Sequence, residues 1–420
     1  MGASAVSLPA KPFEEMSPLG SVMLSDSKNI KHVPGLSHLR AYAALLVLCY
    51  HARGAMATPA ESASSPFWRL IVQGHTGVSL FLVLSGFVFE LGARDRSVVY
   101  WPFIRNRVLR IYPLFVFLMV VAAYAAPDRF SLLGFLQSLL LLGNLPGSNV
   151  IGNWYVGATW TLMVEFQFYL LFPFLHRMFH ANGVKWMLAV LLLMALVRLG
   201  VVLGGENNIR DLSYWTVFGR LDQILIGMGA ARIHARLGPR ARLVVGGLLP
   251  VAAGLVLAGA SWLDRAGGYD VIASWKVVWM DLEAIVWAVF LLSYLRAEPI
   301  LPRRVSRAIE WLGELSYSMY LLHYLVAMIF QARQWYPHLS DNPNWNALGG
   351  GLLVLLPVTV AISLLTYGLV ERPFLALRGV YLGPPLPLRL VSAGPDAGPD
   401  ATRRSSPGDR DDLKRRIAKT

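Results

Sequence analysis

Residues 39–51 read LRAYAALLVLCYH. Between Arg40 and His51 every side chain is apolar or aromatic. Eleven helical steps of about 100° make about three turns plus 20°, so Arg40 and His51 share one face, about 16 Å apart along the axis. The apolar run continues over about 40–57, long enough for a helix to cross a bilayer core. A charged residue near the bilayer centre costs about 2.5–3.5 kcal/mol on insertion scales. Two readings of the pair follow: a snorkelling arginine with a hydrogen-bonded core histidine, or the first two members of a polar site.

The rest of the chain repeats this pattern. It has 420 residues, 55% apolar and 15% charged, with mean hydropathy +0.50. Soluble domains carry about 25% charged residues, so the deficit excludes a disordered chain and argues against a soluble globular enzyme. Length alone suggests two or three domains; the apolar stretches suggest one membrane bundle instead. Ten such stretches are read as spans: about 40–57, 76–92, 108–126, 158–176, 186–204, 213–231, 243–262, 276–295, 314–331 and 347–370. Loops 93–107, 177–185, 232–242 and 296–310 hold 14 of the Lys and Arg residues, and the five intervening loops hold one each. Cytoplasmic loops attract Lys and Arg. The four rich loops are therefore read as inside, with both termini cytoplasmic. Two of them flank 108–176, which must then cross an even number of times. The short apolar segment Ser131–Leu142 becomes a re-entrant or interfacial piece of an outer loop. The expected fold is an all-α polytopic transmembrane helix bundle.

Residues 1–33 read as a polar, disordered leader without a signal-peptide pattern. Residues 34–375 read as the membrane domain, and 376–420 as a disordered basic cytoplasmic tail near anionic lipid. The single cysteine, Cys49, cannot form an intrachain disulfide, and no Cys/His spacing suits a metal. The net charge of +13 lies largely in the basic loops and the tail, so nucleic acid is not needed to explain it.

Few charges remain for the membrane interior, and those mark candidate chemistry. In TWTLMVEFQFYLLFP (159–173), Thr161, Glu165 and Tyr169 follow at i, i+4 and i+8 on one face. In GRLDQILIGMGA (219–230), Arg220 and Asp222 lie about 200° apart, so each needs a partner on another helix. In LGELSYSMYLLHYL (312–325), Ser316, Tyr320 and His323 form a polar stripe. Counting about 1.5 Å per residue puts His51, Glu165, Arg220, Asp222 and His323 at similar depth in the outer half. Their convergence predicts a polar cavity inside the bundle. In FIRNRVLRIYP (103–113), Arg107 and Arg110 project together beside Arg105. Paired guanidinium groups bind phosphate through bidentate hydrogen bonds, so this pair is read as an anion clamp at the inner surface.

Taken in order, these segments resemble the acyltransferase 3 family of integral-membrane acyltransferases, over most of residues 35–375. Arg40 and His51 match its Arg, ten residues, His motif. GVSLFLVLSGFVFELG (77–92) looks like its second-helix segment, and Arg107 and Arg110 match its Arg-x-x-Arg motif. WTLMVEFQFYLLFP (160–173) matches a Trp-Ser-Leu-x-x-Glu-x-Gln-Phe-Tyr pattern, with Thr161 in place of Ser. GRLDQILIG, LGELSYSMYLLH and ERPF (371–374) follow in order. Some members carry a soluble extracytoplasmic hydrolase-like domain after the membrane part, and residues 376–420 are not expected to form one.

The resemblance implies transfer of an acyl group, commonly acetyl, from cytoplasmic acyl-CoA to a hydroxyl of a cell-envelope polysaccharide or related glycan, at a bacterial inner membrane. It implies His51 as base or transient acyl carrier, Glu165 orienting the imidazole or the acceptor, and Arg40 meeting the donor's anionic part or the oxyanion. Arg107 and Arg110 would bind the CoA phosphates. Arg220, Asp222, Tyr320 and His323 would line the acceptor channel. No metal or bound cofactor is expected. The rival from another class is a secondary transporter of a sugar-linked or acylated solute, using the same buried groups for proton coupling. Such transporters show internal repeats and helices broken near the midplane. No repeat is evident, and Pro113 and Pro173 are expected near span ends.

Overall fold

The computed structural model describes residues 29, 32–56, 65–125, 127, 130–144, 158–205, 209–297 and 301–386. Most of the expected leader, Arg129, most of loop 143–158 and the expected tail from residue 387 onward lie outside them. By contacts the chain divides into a unit ending at Pro384 and a second unit, Pro385–Thr420, almost wholly outside the described residues.

The architecture is helical. In chain order the helices are α1 (Pro34–Met56), α2 (Pro66–Val72), α3 (Gly77–Ala93), α4 (Tyr100–Ala125), α5 (Leu132–Leu139), α6 (Trp160–Asn182) and α7 (Val184–Leu203). There follow α8 (Ile209–Trp215), α9 (Val217–Arg236), α10 (Pro239–Gly247), α11 (Leu249–Arg265), α12 (Lys276–Ala297), α13 (Arg303–Glu314) and α14 (Ser316–Arg333). The last, α15, is the 33-residue stretch Pro343–Leu375, which runs through π-helical turns at Gly351–Leu355 and Tyr367–Glu371. Two short strands, β1 (Arg96–Val98) and β2 (Leu382–Pro385), pair beside the start of α4.

The ten apolar stretches are largely helical, but 213–231 runs across α8 and α9, 243–262 across α10 and α11, and 314–331 from the end of α13 into α14. By length and composition, five helices among the described residues suffice to cross a membrane, and seven if the bent pairs α10–α11 (45°) and α13–α14 (69°) each count as one. The chain is therefore a multi-pass membrane protein. The helices left out, α1, α6 and α9, are 20–23 residues long and carry the polar residues singled out above. Segment 131–142 holds only the eight-residue α5, with Ser131 capping its start. Pro113 and Pro173 are not near helix ends. They lie inside α4 and α6, because each helix runs several residues beyond its apolar stretch, and both helices continue through them.

The outside of the bundle is apolar. On α7 only Met194 and Arg198 are buried, while Leu192, Leu196 and Leu203 face outward. One very close approach joins α3 and α9. A Cβ on Gly86 would collide with the Ile224 carbonyl, and one on Gly227 with the Val83 carbonyl. Small residues at such crossings let helix backbones touch. This contact sets Ser79 and Glu90 of α3 against Arg220 and Arg232 of α9. Beyond Leu375 the chain remains packed: Tyr381 and Leu382 are buried, and Asn106 Nδ2 donates to the Gly379 carbonyl at 2.7 Å. The residues past the expected domain boundary are thus ordered as far as 386.

Candidate active site

Two cavities lie along α1. The basic cavity, about 280 Å³, takes its lining from the first half of α1 (Leu36, Ser37, Arg40), from α3, α4 and α6, and from the start of α14. The histidine cavity, about 760 Å³, is lined by the second half of α1 (Val47, Tyr50, His51, Arg53) and by Trp160, Tyr214, Trp215 and Tyr269. Val78 and Tyr320 line both. Helical periodicity accounts for this: Arg40 and His51 share a face of α1 but sit about three turns apart.

In the basic cavity Arg40, Arg107 and Arg110 come together, joined by Arg378. Arg107 sits in an aromatic cage, its guanidinium carbon 4.9 Å from the Phe89 ring centroid and 5.7 Å from that of Tyr169. Cation–π attraction at such distances holds a cation without neutralising it. Its Nε is buried without a hydrogen-bond acceptor. Arg110 lies over Tyr317 at 5.0 Å and 3.5 Å from the buried Glu371 carboxylate. Arg378 follows α15; burial, then the neighbouring Arg110 and Arg107, pull its guanidinium down to about 10. The four guanidiniums outnumber the two carboxylates in the lining, Glu165 and Glu314, and such an excess favours an anionic ligand.

Glu165 also lines the basic cavity. Ser85 Oγ donates to its carboxylate at 2.9 Å, and Tyr169 donates to it one turn further along α6. The partners of His51 are different. Its Nδ1 lies 3.0 Å from the Val47 carbonyl and 3.1 Å from His323 Nε2. The side chain within hydrogen-bond distance of the imidazole is thus His323, whereas Glu165 is bonded to Ser85 and Tyr169. Equal depth counted along a helix did not predict this, because side-chain direction and helix tilt decide which cavity a residue enters. His323 is buried behind His51 and lines neither cavity. Tyr320 stands where the cavities meet, hydroxyl to hydroxyl with Thr161 at 3.1 Å.

Arg220 and Asp222 find separate partners, as their angular spacing requires. Arg220 Nε donates to the Tyr214 carbonyl and Nη1 to Ser79 Oγ, both at 3.0 Å, and its guanidinium stacks over Tyr214 at 4.5 Å. Asp222 accepts from Arg198 Nη1 at 2.5 Å, while Arg198 Nη2 donates to Asp281 at 2.6 Å. Neither Arg220 nor Asp222 lines either of these two cavities. Asp222 ties α9 to α7 and α12 through Arg198, and Arg220 ties α9 to α3 and α8 through Ser79 and Tyr214.

Sequence reasoning missed several residues. Arg198 interrupts the apolar run of α7, and that lone charge was a usable signal. Glu283 accepts from Ser79 Oγ at 2.9 Å beneath Arg220, and Arg378 lies beyond the last apolar stretch. His75, in the turn before α3, lines the histidine cavity with Nε2 3.0 Å from Gln73 Oε1. Among the described residues no group of three or more His, Cys, Asp or Glu is placed to hold a metal ion.

Comparison with known proteins bears on this geometry. The model of the acyltransferase 3 family, described as an acyltransferase domain, matches residues 33–368. The chain is 27% identical to the acyltransferase MdmB of Streptomyces mycarofaciens, over 83% of this chain and 93% of that protein. It is 23% identical to the O-acetyltransferase OatA of Staphylococcus aureus over 70% of this chain, but spans only half of that protein's length. No solved structure matches. The family match covers both cavities apart from Arg378 and His32 at the rim of the basic one, and the chain belongs to the acyltransferase 3 family: it is an acyltransferase of the membrane.

Proposed function

We propose that the protein moves an acyl group, commonly acetyl, from acyl-CoA to a hydroxyl of a cell-envelope polysaccharide or related glycan. The observation that carries this reading is the pair of cavities meeting at Tyr320, one basic and one holding a histidine. CoA carries a pyrophosphate and a further phosphate, and Arg40, Arg107, Arg110 and Arg378 offer the guanidiniums to receive them. Arg40 belongs with this donor group, because its cavity is not the one that His51 lines. The acyl end then extends past Tyr320 toward His51.

The acceptor enters the histidine cavity. Its aromatic walls and its Arg210, Asp211 and Asp270 suit a ligand with both apolar faces and hydroxyls. An alcohol is a weak nucleophile at neutral pH and needs a base, which contributes about 10²–10⁴-fold. His51 lines this cavity and its Nδ1 is engaged on α1 and α14, so Nε2 is the nitrogen left to meet the acceptor. The acceptor proton passes to Nε2 as the oxygen bonds to the thioester carbonyl carbon. The C–S bond breaks, and the same proton moves from Nε2 to the departing thiolate. Glu165 takes no proton in this scheme; it holds Ser85 and Tyr169 and offsets the positive charge of the basic cavity.

The basic-loop pattern supports an orientation with the basic cavity toward the cytoplasm, where acyl-CoA is made, in a bacterial inner membrane. Radiolabel transfer from acetyl-CoA into the glycan fraction of membrane vesicles tests the reading. Wild type transfers label, and His51→Gln and His51→Ala at equal membrane levels do not. Full transfer by either variant contradicts the assignment.

A further inference from the structure

We propose that His323 is a positioning residue that fixes the proton of His51 on Nδ1 and thereby keeps Nε2 free as the base. This rests on the reading of His51 above and adds to it the group that makes the imidazole competent.

The argument is one of proton placement. Three acceptor-capable contacts run through the two rings. His51 Nδ1 lies 3.0 Å from the Val47 carbonyl, His51 Nδ1 lies 3.1 Å from His323 Nε2, and His323 Nδ1 lies 3.1 Å from the Met319 carbonyl. A carbonyl oxygen only accepts, and a neutral imidazole carries one N–H and one lone pair. If His323 held its proton on Nε2 and donated it to His51, two nitrogen lone pairs would face buried carbonyl oxygens, one at Met319 and one at Val47. Each buried mismatch of that kind sets two lone pairs against one another with no proton between them, which is unfavourable. The opposite arrangement has none. His323 Nδ1–H donates to Met319, and His323 Nε2 accepts the His51 Nδ1–H, which the Val47 carbonyl shares. The rings meet at 4.9 Å between centroids and 58° between planes. Each histidine thus reaches the carbonyl one turn back on its own helix, and α1 and α14 lock the shared proton between them.

The consequence is chemical. A histidine base works only with the right tautomer, and a partner on the far nitrogen commonly sets it. In hydrolase triads a carboxylate fills that position; here a neutral imidazole does. When Nε2 takes the acceptor proton, the His51 cation keeps its Nδ1–H on the same lone pair, now as a charge-assisted bond. His323 is 1% exposed and lines neither cavity, so it acts through His51 and not on substrate.

The test compares His323→Leu with His323→Gln. Leu fills the space without an acceptor, whereas the Gln amide oxygen reaches the position of Nε2. At saturating acetyl-CoA, His323→Leu should slow label transfer in vesicles by about 100-fold, within the range of a lost base. KM for acetyl-CoA should stay unchanged and His323→Gln should restore most of the rate. A structural role alone does not produce that split. Independently, nitrogen-15 NMR of histidine-labelled protein in lipid should show His51 protonated on Nδ1 in wild type and in mixed tautomers in His323→Leu. His51 protonated on Nε2 in wild type would overturn the inference, as would wild-type rate in His323→Leu. Should His323→Leu fail to insert, the wild-type spectrum still decides. If His51→Gln retained activity, the base assignment would fail instead, while the spectrum would still report the tautomer.

Discussion

A charge inside this bundle is informative only through its partner. Asp222 and Arg198 neutralise one another at 2.5 Å with no exposure on either side chain. Removing one partner from such a pair costs about 3–5 kcal/mol. Asp222→Ala is therefore expected to lower thermal stability and membrane levels steeply, while the protein that survives keeps its KM for acetyl-CoA. A changed KM at normal stability would instead put Asp222 in a substrate path. Arg107 is the opposite case. It has rings around it and a buried Nε without an acceptor, but no carboxylate partner among the described residues. Arg107→Ala should raise KM for acetyl-CoA about tenfold or more, the worth of one or two charge-assisted bonds, with insertion intact. Unchanged dependence on acetyl-CoA would remove the anion role. Much of this was legible in the sequence. The eleven-residue spacing put Arg40 and His51 on one face, and the i, i+3 spacing put Arg107 beside Arg110. The partners were not legible. Arg198 is 24 residues from Asp222, and His323 is 272 residues from His51. Only the packing of helices brings them within reach.

At the scale of elements, the crossing of α3 and α9 positions the site. Gly86 and Gly227 let the two backbones meet, and Ser79, Gln223 and Glu283 then close a polar network under Arg220. Overpacking such a contact typically costs about 1–3 kcal/mol. Gly86→Leu and Gly227→Val should each lower the unfolding temperature in detergent and reduce transfer. Gly254→Ala on α11, where an added Cβ meets nothing, should leave both unchanged. Helical content was legible from the apolar runs, but the breaks inside 213–231, 243–262 and 314–331 were not. Helix ends were not, because α4 and α6 extend past their apolar stretches on interactions that composition does not show. The same extension put Pro113 and Pro173 inside helices. Depth arithmetic along single helices failed for Glu165, which enters the basic cavity, because tilt and side-chain direction outweigh a count of residues.

At the scale of the molecule, two cavities share a boundary at Val78 and Tyr320. A donor with phosphates and an acceptor with hydroxyls can then meet without entering by the same door. The basic loops predict which door is which. With the buried Cys49 replaced by alanine, single cysteines introduced at Arg94 and Asp270 should label from opposite faces, the first from the cytoplasmic side and the second from outside. Labelling from one face would overturn the orientation. The most direct measurement is transfer of radiolabelled acetyl from acetyl-CoA in membrane vesicles, with His51→Gln beside wild type at equal membrane levels. Loss of transfer with retained binding of CoA is the predicted result. Transfer at the wild-type rate would contradict it.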